Sequence, residues 1–271
     1  MKILQMIGNI LVYTLIYIML QVVSIVAYMI PVLIKYYQVK TPEQLMNMMY
    51  SNVYTVVMVA SIITLAIYYL MFRKKDMNLF QRCQIKKVSV INVILIIISA
   101  VVLSFITSSF LDLTQNIFKD YSSISEEMVK GLQSIPGIIS AVLIAPIMEE
   151  TLFRGLIFNE LRKNINLTAS IIIQAVIFGV FHGNLAQGIY AAVLGIVLAV
   201  IYLWTKSIVA NIIMHVSFNI VGTLVVPQIY GNTEWLVYIY LIGGAFVLVG
   251  LLFLLYISTH NKLSTDTFSP N

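Results

Sequence analysis

Charged side chains are what this 271-residue sequence has least of. It carries 16 Lys and Arg and 11 Asp and Glu, 10% of its residues, where a soluble globular domain has about 25%. With 60% hydrophobic residues and a mean hydropathy of +0.96, there are too few charges to cover a water-facing surface. Lipid is therefore the expected solvent, and the fold class an all-α membrane protein. Cysteine is nearly absent: Cys83 stands alone, which excludes an internal disulfide. It lies in F-Q-R-C-Q with no His near it in sequence, and reads as a bystander thiol. No H-E-x-x-H occurs, which removes support for a zincin or site-2-type protease. No G-x-S-x-G nucleophile turn occurs either. The aspartates lie outside the apolar segments or at their edges, against an aspartyl dyad. The net charge of +5 is spread through loops as membrane topology demands, which argues against a nucleic-acid partner.

What is present is a series of long apolar runs. A spanning helix needs about 20 such residues, and eight segments qualify: 7–34, 52–72, 89–111, 134–158, 166–183, 187–204, 207–227 and 235–257. The first run outlasts a signal-peptide core and lacks a small-residue cleavage site, so it reads as a retained helix. Thr41-Pro42-Glu43-Gln44 has the form of a capping box with Pro at the first helical position, and predicts a short, Met-rich interfacial helix. Ser123-Ile124-Ser125-Glu126 is a weaker capping box. The tail from about Thr259 reads as disordered.

Loop charges set an expected orientation. Arg73, Lys74, Lys75, Arg82, Lys86 and Lys87 crowd between the second and third runs, which places that loop in the cytoplasm. Alternation then puts Lys2, Arg162, Lys163, Lys206 and Lys262 inside as well. Only Lys35, Lys40, Lys119 and Lys130 fall outside, so both termini are expected in the cytoplasm. Trp204 and Trp235 fall at helix ends, as interface anchors do.

The chemistry resides in the few polar groups within apolar runs. Glu149 and Glu150 lie deep in the fourth, and His182 and His215 in the fifth and seventh. An ionisable group at the centre of a spanning helix costs about 2.5–3.5 kcal/mol on insertion scales, and usually faces a cavity and marks function. At about 1.5 Å per residue, His215, Glu149 and His182 stand roughly 12, 16 and 21 Å from the cytoplasmic ends of their helices. Tilt and uncertain boundaries make that one layer. Glu150 and Arg154 are four apart and predict an ion pair, with Glu149 turned about 100° away. His215 and Asn219 share a face, as do Phe178 and His182. Pro146 favours a kink just before the glutamates, and Gly179 and Gly183 would admit a close neighbour. The set suits water activation: Arg154 holds Glu150 as the anion, Glu149 is the candidate general base, His182 orients the same water, and His215 and Asn219 stabilise an oxyanion.

Three ordered motifs carry a resemblance. Glu149-Glu150-Thr151-Leu152-Phe153-Arg154 reads E-E-x-x-x-R, Phe178 to His182 reads F-x-x-x-H, and His215 to Asn219 reads H-x-x-x-N. Together they resemble the CPBP intramembrane proteases, a family that includes eukaryotic CAAX prenyl endoproteases and bacterial proteins linked to bacteriocin processing and immunity. The resemblance covers roughly residues 134–228 and no motif position departs from the pattern. It divides the chain into N-terminal helices (1–133), a catalytic core (134–228), and a last helix with a short cytoplasmic tail (229–271). It implies that Glu149 activates water with His182, that His215 and Asn219 form the oxyanion site, and that Glu150 and Arg154 support the geometry. A metal-free site is favoured. If Zn²⁺ were bound, Glu149, His182 and His215 would be its ligands, but Glu149 does not readily serve as both ligand and base. The expected activity is an intramembrane endopeptidase of a bacterial cell membrane, open to the cytoplasmic side, acting on peptides (bacteriocin or pheromone type) or on membrane proteins, including CAAX-type substrates. A scaffold or bacteriocin-immunity factor, or a proton-coupled transporter, is the alternative. Transporters usually show inverted repeats, and none is visible. Oligomeric state is not legible.

Overall fold

A computed structural model describes residues 2–38, 40–230 and 233–265. It is an all-α polytopic membrane protein, with no strand among the described residues. The elements in chain order are α1 (Lys2–Tyr36), α2 (Pro42–Phe72), the short α3 (Leu79–Arg82), α4 (Val90–Thr114), α5 (Tyr121–Gly131), α6 (Ile135–Asn164), α7 (Leu167–Val180), α8 (Leu185–Thr205), α9 (Ile208–Ile229) and α10 (Glu234–Thr265). Seven of them are long and apolar enough to cross a membrane: all but α3, α5 and α7.

Every expected apolar segment is a helix, with four differences that have physical causes. The Thr41 capping box forms in full, with Gln44 N–H donating to Thr41 Oγ1 at 3.3 Å and Thr41 N–H to Gln44 Oε1 at 3.2 Å. It opens no short helix, however: from Pro42 to Phe72 neither Gly nor a second Pro interrupts, so one helix runs through both the interfacial and the spanning segment. Ser123 lies inside α5 and is not its cap, because turns through Thr114, Phe118 and Tyr121 already bring the chain into helix. The last helix continues to Thr265 where a disordered tail was expected, and residues 266–271 lie outside the described ones. Most consequential is α7, which ends at Val180 with only 14 residues.

The chain forms two compact units that do not follow chain order. The first is Met1–Cys83 with Ser122–Asn166, the second Gln84–Tyr121 with Leu167–Asn271. In the first unit α1 packs on α2 and α6. The Tyr68 hydroxyl donates to the Tyr13 carbonyl at 2.6 Å, and the Tyr13 ring meets Phe72 at 5.8 Å. Asn159 Nδ2 ties α6 to α3 through the Arg82 carbonyl at 2.8 Å. Gly155 of α6 makes room for α3: a Cβ there would lie 2.5 Å from Cys83 Sγ.

The second unit is built on α4, α8 and α9 with α7 and α10 beside them. Asn211 Nδ2 donates to the Leu198 carbonyl at 2.7 Å, joining α9 to α8. Gln174 Nε2 joins α7 to α8 at the Gly195 carbonyl, 2.9 Å away. Ser104 Oγ reaches the Phe218 carbonyl at 3.3 Å between α4 and α9. Side-chain amides and hydroxyls thus bridge helix to helix where lipid offers no partner.

Candidate active site

In the first unit α6 carries the paired glutamates. Pro146 has no N–H to return to the preceding turn, and the helix accommodates this with a wide π turn at Ser140–Ile144, closed by Ala145 N–H donating to the Ser140 carbonyl. A second wide stretch, Thr151–Phe158, follows directly after the glutamates. The expected kink is thus a change of helical pitch on both sides of Glu149 and Glu150. Such π turns are frequent at functional sites.

The two glutamates have different surroundings. Glu150 is wholly buried and its Oε1 accepts a hydrogen bond from Arg154 Nη1 at 2.8 Å, with Arg154 wholly buried too. Glu149 is only half-buried. Its carboxylate is within electrostatic reach of Arg154 on α6 and of the Tyr17 hydroxyl on α1. One carboxylate is neutralised and held, and its neighbour keeps access to a small molecule.

In the second unit the histidines stand around one ring. Phe178, fully buried on α7, meets His182 edge-on at 4.9 Å between centroids and His215 of α9 edge-on at 5.8 Å. His182 does not lie on a helix: it sits in the turn after Val180, with Gly183 in a left-handed conformation at φ 75°. His182 Nδ1 is 2.8 Å from the Phe178 carbonyl. A carbonyl only accepts, so Nδ1 carries a proton, and in the neutral tautomer that this contact selects Nε2 holds the lone pair. Asn184 caps α8, its Oδ1 accepting from Gln187 N–H at 2.8 Å. His215 is buried, while Asn219, one turn further along α9, is half-buried. The Asn219 carbonyl accepts from Thr223 Oγ1 at 2.5 Å.

The short α7 matters for water. Fourteen residues rise about 21 Å, short of a hydrocarbon core of about 30 Å. A helix of this length that begins at a membrane surface ends inside the hydrocarbon core. Non-helical backbone is tolerated there only where protein covers it or water lines it.

Gly179 is a close-approach position as expected, and its neighbour is Gly188 of α8: a Cβ on Gly179 would lie 2.4 Å from the Gly188 carbonyl oxygen. Gly183 is not one. A Cβ there meets nothing within 4 Å, and its role is the turn. Cys83 is buried, and burial pushes its thiol up to about 12 against the lowering influence of Arg82. It stays protonated at neutral pH and is no nucleophile. Among the described residues no three His, Cys, Asp or Glu side chains form a cluster able to hold a metal ion. Sequence reasoning passed over Tyr17, because an isolated tyrosine in an apolar run counts as one more apolar residue.

Residues 131–221 match the family model for type II CAAX prenyl endopeptidase Rce1-like proteins. A protein of Bacillus subtilis (strain 168) named "Putative membrane peptidase YdiL" is 31% identical over 96 residues, which are 35% of this chain and 39% of that relative. The chain thus matches well under half of the relative's length. No solved structure matches. The matched segment contains all three motifs, Glu149 to Arg154, Phe178 to His182 and His215 to Asn219, so the similarity to these membrane peptidases falls on the part of the chain that carries the candidate site.

Proposed function

We propose that the chain is an intramembrane endopeptidase that uses a glutamate-activated water and forms no covalent enzyme intermediate. The observation that carries this reading is the contrast on α6: a half-buried Glu149 beside a Glu150 wholly buried and paired with Arg154. Glu149 takes a proton from water, and the oxygen attacks the substrate's peptide carbonyl carbon. The lone pair on His182 Nε2 accepts the water's other hydrogen and so fixes its orientation. His215 and Asn219 donate to the oxyanion of the tetrahedral intermediate. The proton held by Glu149 then passes to the leaving nitrogen, the C–N bond breaks, and a carboxylic acid and an amine depart.

No metal is required by this scheme, since the base and the oxyanion donors are all side chains. The substrate class proposed is a peptide or a membrane protein presented in the bilayer of a bacterial cell, entering from the cytoplasmic side. Both the lipid-facing composition and the relative's membrane-peptidase name support it.

The test is cleavage of a candidate membrane peptide by purified protein in liposomes. Glu149→Gln and His182→Ala should each lower kcat by at least about 100-fold, as loss of a general base does. Cleavage by both variants at the wild-type rate would sink the assignment. Chelator treatment of active wild-type protein should leave the rate unchanged, and loss restored by Zn²⁺ would replace the metal-free scheme.

A further inference from the structure

The polar residues of α1 are not scattered. Asn9, Tyr13, Tyr17 and Gln21 recur every four residues, and Tyr28 follows seven further on. These spacings keep side chains on one face of a helix. The other faces carry exposed apolar residues such as Leu11, Leu15 and Met19. A polar face on a lipid-exposed helix is costly unless protein answers it.

The neighbouring helices of the first unit answer it rung by rung. Asn9 Nδ2 donates to Glu160 Oε1 of α6 at 3.0 Å. Tyr13 offers its carbonyl to the Tyr68 hydroxyl of α2. Gln21 Nε2 donates to Ser61 Oγ of α2 at 3.1 Å, and the Tyr28 hydroxyl donates to the Met48 carbonyl at 3.3 Å.

Register assigns the remaining rung. Asn9 stands at Glu160, and direction follows through α2. That helix runs antiparallel to α1, with Tyr68 at Tyr13 and Ser61 at Gln21. It runs along α6 in the same sense, packing on Ile135–Glu150 while Arg82 beyond its end meets Asn159, so α1 and α6 run antiparallel. Eight residues from Asn9 to Tyr17 climb about 12 Å, and eleven from Glu160 back to Glu149 climb at most about 16 Å. The wide turns at Thr151–Phe158 shorten the second figure. Tyr17 is then level with Glu149, half-buried like it, and its hydroxyl is within electrostatic reach of that carboxylate and of the Tyr68 hydroxyl.

We propose that Tyr17 is a positioning residue for Glu149: its phenol O–H donates a hydrogen bond to one carboxylate oxygen and leaves the other free to face water. The proposal rests on the catalytic reading of Glu149 for its functional consequence, though not for the contact itself. A charge-assisted hydrogen bond of this kind is among the stronger ones. It would make α1, which lies outside the matched segment, a working part of the site.

Infrared difference spectra of the full-length protein in lipid read the contact directly. The carboxylate band that disappears in Glu149→Gln identifies that side chain. In Tyr17→Phe, which keeps the ring and its packing, that band should shift in frequency, and in Tyr28→Phe it should not. An unmoved band in Tyr17→Phe, or an equal shift in Tyr28→Phe, overturns the proposal. On a cleaved peptide, Tyr17→Phe should lower kcat by about tenfold with KM within about twofold. A raised KM with unchanged kcat also counts against it. If Glu149→Gln cleaves at the wild-type rate, the catalytic reading has failed, and the infrared result still decides the contact.

Discussion

Glu149 and Glu150 share a side-chain chemistry and a peptide bond, and differ in what the same change would do to them. Glu150 is wholly buried against Arg154, so Glu150→Gln leaves a guanidinium in the interior without its counter-charge. Breaking a buried pair in this way costs on the order of 3–5 kcal/mol. Glu149 is half-buried and stands outside the 2.8 Å Glu150–Arg154 pair, which its replacement leaves in place. Glu150→Gln should therefore lower the thermal unfolding midpoint in detergent by several degrees, while Glu149→Gln keeps the wild-type midpoint and loses cleavage. The reverse pattern would exchange their roles. The pair itself was legible from spacing, since four residues on a helix bring side chains together. What approaches the other side of Glu149 was not. Tyr17 is about 130 residues away in sequence, and only packing of α1 on α6 brings it near.

At the scale of elements, the apolar runs predict where helices are and the small residues predict how closely they approach. The close contact of α7 with α8 shows the limit of the second inference. Gly179 was singled out correctly, with Gly183 as its companion, yet the residue facing it is Gly188. The chain leaves helix after Val180, so the four-residue spacing to Gly183 no longer describes one face. The two glycines are not equivalent. A Cβ on Gly179 would lie 2.4 Å from backbone of α8, whereas one on Gly188 would stand 3.1 Å from the Gly179 carbonyl. Gly179→Ala should thus destabilise by about 1–3 kcal/mol, as overpacking does, and Gly188→Ala by clearly less. Equal unfolding midpoints for the two variants would contradict the close approach. The wide turns around the glutamates were legible only as a kink at Pro146. Pitch depends on how neighbouring helices accept the extra residue, and sequence periodicity does not encode that.

For the whole molecule, orientation follows from charge. Asp76, beside the basic loop of residues 73–87, belongs to the cytoplasmic face on this reading, and Lys119 to the opposite one. With Cys83 replaced by Ser, Asp76→Cys should react with a membrane-impermeant maleimide only in inside-out vesicles, and Lys119→Cys only in intact cells. Labelling of the opposite sense would invert the molecule and the side from which substrate enters.

The sequence by itself determined that this chain lives in lipid, where its helices lie and which few ionisable residues stand within apolar runs. Composition and apolar run length are local properties, and an ionisable side chain in an apolar run is conspicuous without any fold. Tertiary structure alone decided that α7 stops short, that His182 belongs to a turn, and that residues 134–166 and 167–228 fall in different compact units. It also decided that Asn9, Gln21 and Tyr28 of α1 find their partners on α6 and α2. These outcomes depend on which helix packs against which, a pairing of distant segments that no local pattern records.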